Sequence, residues 1–157
     1  MNLNPTEKII FKEKIKTACI QLVEQRLNAV QAAMDAAQES ANGEGKSSAG
    51  DKYETSRAMG QLDRDMNAKQ LEEAKKELEF IKSINVATEF NVVTIGAVVI
   101  CSNFIFFVSA GLGIVMVDDK KVVLLSPIAP IAKLLNGQKL GAKITFNGND
   151  IYILDVF

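Results

Sequence analysis

Apolar residues in the first half of the chain recur at alternating steps of three and four. Ile20, Val23, Leu27, Val30, Met34 and Ala37 trace one such stripe, the spacing of a helix whose apolar seam faces one partner. Asn4-Pro5-Thr6-Glu7 reads as its start, with proline where the first helical position tolerates it. No breaker follows until Gly43 and Gly45, so the spacing predicts a helix over residues 5–42, about 57 Å long at 1.5 Å per residue. A second stripe, Met59, Leu62, Met66, Leu71, Ala74, Leu78 and Ile81, predicts a second helix, with one irregular step of five between Met66 and Leu71. The segment between the stripes, residues 43–50, is rich in turn formers. Two long amphipathic helices joined so briefly are expected to run antiparallel and bury their seams on each other. The tip, about residues 43–54, is then expected to project from the rest. Alanines at 29, 32, 33, 36 and 37 bury little area, which predicts a distal hairpin held more weakly than its base.

Near Val86 the pattern changes. Valine, isoleucine, phenylalanine and glycine replace the charged, alanine-rich pattern, so the expected division is a helical hairpin over residues 1–85 and a β domain over residues 86–157. Short apolar runs predict strands at residues 92–100, 104–108, 114–117, 122–125, 143–146 and 151–157, the last two joined through Asn147-Gly148. One helix is expected from Ser126-Pro127 to Leu135, ended by Asn136-Gly137. The fold class expected is therefore α+β: an antiparallel coiled-coil hairpin, then a small antiparallel β domain with one short helix. The uncharged stretch 92–117 is long enough to span a bilayer. Frequent Gly, Ser, Thr and β-branched residues favour buried strands instead, and no membrane association is expected.

Composition then narrows the chemistry. The net charge is -1, without the basic excess of a direct nucleic-acid binder. The chain has no histidine, which removes the commonest general base and most catalytic zinc sites. Cys19 and Cys101 are the only cysteines and read as reduced, buried thiols of a cytoplasmic protein. The amino-terminal residues lack the apolar segment of a signal peptide.

The stretch Ser126-Pro-Ile-Ala-Pro-Ile-Ala-Lys-Leu-Leu-Asn-Gly-Gln-Lys-Leu-Gly141 resembles the Gre family of bacterial transcript-cleavage factors. There a Ser-Pro pair opens a short helix that Leu-Leu-x-Gly ends. Val93-Thr94-Ile95-Gly96 is similar to the opening strand of the same family domain. The family joins a coiled coil to an FKBP-like domain, in the order expected here. The resemblance implies RNA polymerase as partner, with the globular domain at the rim of the secondary channel and the hairpin reaching down it. It places Ser126, Pro127 and Ile128 on the docking surface. It also implies that tip acids share the Mg2+ of the polymerase active site and stimulate cleavage of backtracked RNA. The factor itself then has no cofactor of its own and is not an enzyme; carboxylates fix a hard cation for two-metal chemistry.

At the tip this chain departs from the family pattern of two acids three apart, followed by Asn-Ala-x-Tyr and an arginine four residues after the tyrosine. Tyr53 and Arg57 keep the last spacing, but that alignment puts Lys46 and Ala49 at the acid positions. Aligning on the acids selects Asp51 and Glu54, with Glu44 a further acid at the apex. Asp51 and Glu54 have a second reading as a helix capping box, and Tyr53 and Arg57 as a pair stabilising one helical face. A cleaving factor, a non-cleaving channel regulator and a non-polymerase adaptor all remain open. A third function class, prolyl isomerase, would need Phe104, Phe106 and Phe107 to line a pocket.

Overall fold

The structure is a computed structural model that describes residues 3–43 and 50–157, without the side chains of residues 41, 43 and 50–53. A helical pair is followed by a six-stranded, mostly antiparallel sheet with one short helix. Contacts divide the chain into two compact units: Val23–Glu79, and Met1–Leu22 together with Phe80–Phe157.

Helix α1 (Pro5–Gly43) starts where the sequence predicts. Asn4 Oδ1 accepts the Glu7 backbone N–H at 2.9 Å, and Glu7 Oε2 accepts the Asn4 N–H at 2.8 Å. This reciprocal capping box satisfies two donors that a helix start leaves without partners. Helix α2 runs from Gly50 to Ser83.

Within Val23–Glu79 the helices pack antiparallel. Arg26 pairs with Glu77 at 3.5 Å, and Ala29 and Val30 share a cleft with Glu73 and Ala74. Val23 is fully buried; Leu27, Val30 and Met34 are half-buried, as are Leu71, Ala74 and Leu78. The upper half of the second stripe behaves otherwise. Met59, Leu62 and Met66 are 61%, 59% and 53% exposed, and Ala37 is exposed too. The step of five explains the methionines: at about 100° per residue it carries the stripe roughly 140° past a full turn. The half-buried positions of upper α2 are instead Gly60 and Asn67. Seven apart, and in heptad phase with Ala74 and Ile81, they have little apolar surface to bury.

The other unit is built on the sheet β1 (Val98–Cys101), β2 (Ile105–Val108), β3 (Gly113–Val117), β4 (Lys120–Leu125), β5 (Lys143–Phe146) and β6 (Asn149–Val156). Its order is β3-β4-β2-β1-β6-β5, antiparallel throughout except for the parallel neighbours β2 and β4. Residues 92–97 are not strand. Thr94 to Ala97 close a turn in which Gly96 has φ +86°, and a Cβ there would sit 3.1 Å from the Ile84 side chain. Glycine meets both demands. Val93 spends its backbone N–H and C=O on Gln138 and Gly137 instead of a neighbouring strand. Asn147 and Gly148 both take positive φ, as the expected tight hairpin requires. Asp118 and Asp119 do the same between β3 and β4, a turn the apolar pattern does not announce.

Helix α3 covers only Pro130–Leu135, not residues 126–135. Ala129, held extended at φ -61° and ψ 144°, precedes Pro130, and proline excludes the helical conformation from the residue before it. Ser126 to Ala129 form a turn instead.

The sheet is buried on both faces. One packs Val99, Phe106, Val108, Ile151 and Ile153 with Ala132 and Leu135 of α3. Strand alternation sends Val98, Ile100, Phe107, Val122 and Leu124 to the other, where all are at most 4% exposed. The base of the helices supplies their cover: Phe11, Ile15, Cys19, Ile81 and Ile84 are buried in the same unit. Ion pairs fasten this base to the sheet, Lys8 to Asp155 on β6 at 2.6 Å and Lys14 to Asp118 in the β3–β4 turn at 2.7 Å. Residues 92–117, the stretch with bilayer length, thus supply β1 to β3, and among the described residues no helix is long and apolar enough to cross a membrane.

Candidate functional site

The tip acids sit where α2 begins. Asp51 and Glu54 are three apart at the start of Gly50–Ser83, and Tyr53 and Arg57 follow on the same helix. Glu54 and Arg57 are exposed. Glu44 lies outside the described residues, as do the side chains of Asp51 and Tyr53. An acidic first turn suits the positive end of the helix dipole, and two carboxylates three apart on a helix are spaced to approach one cation.

The expected docking residues are brought together in a turn. Ser126 and Pro127 are half-buried, whereas Ile128 is 79% exposed, the most exposed large apolar side chain described. The backbone at Gly111 packs on Ser126, whose Cβ would lie 3.4 Å from a Cβ added there. The turn is therefore backed by the β2–β3 connection and exposes an apolar tip.

The phenylalanines do not form an isomerase-like pocket. Phe104 stacks on Phe106 with ring centroids 5.6 Å apart and is 46% exposed. Phe107 faces the opposite layer of the sheet. Adjacent strand positions point to opposite faces, so Phe107 does not share a cavity with Phe104 and Phe106.

The most perturbed titratable group was not singled out by the sequence pattern. Lys12 is 2% exposed, and its Nζ donates to the Thr88 carbonyl at 2.9 Å. The ammonium lies 4.7 Å from the Phe90 ring centroid and 5.8 Å from that of Phe157. Burial lowers its pKa to about 8, partly offset by the charge of Glu89. The available signal was its place beside Phe11 and Ile15 on the buried side of α1. The groups that enclose it come from residues 88–90 and 157, far away in sequence.

This perturbation has a sign that stability measurements can read. Between pH 8 and 10.5 unfolded Lys12 holds a proton that the folded state has released, so stability rises with pH. Cys101 acts oppositely: burial raises its thiol from 9.0 to about 11, so the folded state retains a proton the unfolded chain loses and stability falls across that window. Urea unfolding is expected to gain on the order of 1 kcal/mol from pH 8 to 9 and then level off. Lys12→Met should flatten the first rise, and Cys101→Ala should let it continue above pH 9. An unchanged profile in Lys12→Met would show that another group is responsible. Both cysteines are buried and neither is in a disulfide.

In comparison with known proteins, no family model, no curated protein and no solved structure matches this chain.

Proposed function

We propose that this chain is a cytoplasmic bacterial regulator that binds RNA polymerase, with its helical hairpin entering the secondary channel and its β domain engaging the rim. The observation that carries the reading is the succession of elements: a long antiparallel helical pair, then a β domain in which the Ser126-Pro127 turn leads into α3. That succession agrees with the Gre-like motif of residues 126–141. A long hairpin suits insertion into a narrow channel, and Ile128 suits a rim contact because burying it on a partner removes apolar surface from water. Asp51 and Glu54 are the residues that would lend oxygen ligands to the polymerase Mg2+. In this reading the hydrolysis belongs to the polymerase, and the factor supplies ligands and position.

The test is RNA cleavage by a stalled, backtracked polymerase complex, with and without the full chain. If the factor is of the cleaving kind, magnesium-dependent cleavage rises in its presence and falls at least about tenfold in the double substitution Asp51→Ala/Glu54→Ala. Binding without cleavage would assign a non-cleaving channel regulator, and absence of binding would reject the polymerase reading. The exposed Met59, Leu62 and Met66 favour a second reading, an adaptor whose hairpin carries an apolar strip for another protein. A pull-down that retains a partner but lacks polymerase subunits would select it.

A further inference from the structure

Lys12 has no part in the polymerase contact proposed above, yet it lines a cavity of about 170 Å³ with Lys8, Val86, Phe90 and Phe157. Its ammonium has three donors, and one meets the Thr88 carbonyl. The two nearby rings attract positive charge but offer no lone pair of the strength of an oxygen. Among the described residues no carboxylate lies within ion-pair distance of Lys12, while Lys8, one turn earlier, is already held by Asp155 at 2.6 Å.

We propose that this cavity binds a small monocarboxylate with a flat, apolar body, its carboxylate on the Lys12 ammonium and its body against Phe90 and Phe157. Size, charge and lining each select that class. A cavity of about 150 Å³ holds a benzene ring, so this one takes a single ring or a short aliphatic chain. The Lys12 ammonium feels the charge of Glu89 but forms no ion pair with it, so it can hold one carboxylate directly. A phosphate dianion would leave charge uncompensated among Val86, Phe90 and Phe157, with Glu89 also lining the site. The burial of Lys12, otherwise unfavourable, then serves recognition: a charge-assisted hydrogen bond gains strength as its surroundings become less polar.

The experiment is an NMR titration of the full chain with benzoate and with benzamide, its uncharged near-isostere, following the side-chain signals of Lys12, Phe90 and Phe157. Benzoate should give saturable shifts on these residues at about 1 mM, in keeping with the efficiency of small ligands. Benzamide should bind at least about tenfold more weakly. Lys12→Met should remove the preference for benzoate, and Phe90→Leu should weaken both compounds while keeping it. Equal affinity for the two compounds, shifts confined to other residues, or no saturation would overturn the proposal. The comparison of the two compounds on the unsubstituted chain decides this even if Lys12→Met fails to fold. None of these outcomes depends on polymerase binding.

Discussion

Replacing Phe107 by alanine is expected to destabilise the protein by about 3–5 kcal/mol, the range for removing a fully buried aromatic ring. Phe107 is 0% exposed on β2, at the centre of the sheet order, paired with Val98 on one side and Leu124 on the other. Its layer also contains the helix base, where Ile15 and Ile81 are 0% exposed. Collapse into the void would require a helix base pinned through Lys8 and Lys14 to shift as a body. A melting temperature lower by about 10 °C is the corresponding thermal result for a chain of this size. Phe104→Ala provides the contrast. Its ring is 46% exposed, and truncation should remove less than about 1 kcal/mol. Similar losses at the two positions would mean that the second sheet face is not the packed layer described here.

Removing residues 1–22 should have a still larger effect and abolish cooperative unfolding of the β unit. Phe11, Ile15 and Cys19 leave with them, all buried in that unit. At about 1.5–3 kcal/mol for each large apolar side chain, with the newly exposed sheet face added, the loss is on the order of 5–10 kcal/mol. That equals the whole stability of an ordinary domain. Excising residues 27–76 should do far less to the β unit. Arg26 and Glu77 approach to 3.5 Å, so a Gly/Ser loop of about four to six residues can join them. Circular dichroism and urea titration of the two deletions would separate these outcomes. Survival of the sheet without residues 1–22 would refute the assignment of its second cover to the helix base.

Much of this fold can be read from local pattern, and the parts that cannot share a cause. The start of α1 is legible because Asn4, Pro5 and Glu7 carry the cap within four residues. The β5–β6 hairpin is legible because Asn147-Gly148 sets the turn and apolar alternation flanks it. Residues 92–97 read as strand because their apolar character is real, but it serves a loop whose shape depends on Gly96 passing Ile84. Ser126-Pro127 imitates a helix opening, whereas Pro130 dictates the actual start of α3. Met59, Leu62 and Met66 have helical spacing, but spacing alone does not set the phase relative to the partner helix. The candidate site divides in the same way. Ser126, Pro127 and Ile128 are singled out by the resemblance, as a helix opening and not as the turn they form, while the environment of Lys12 is assembled from residues up to 145 positions away.

The ion pair between Lys8 and Asp155 has a consequence for how the protein is made. On the ribosome, residues 1–22 emerge well before β6, the strand to which they are fastened, which is completed only at Val156. At about 5–20 residues per second that separation is a wait of several seconds to tens of seconds. The intervening residues 23–79 form a compact unit and can pair while the rest is still being synthesised. Through that interval Phe11, Ile15 and Cys19 face water, waiting for a sheet that does not yet exist. The nascent chain thus presents an apolar helix early and for long, which makes its amino-terminal segment the natural place for a chaperone to hold it.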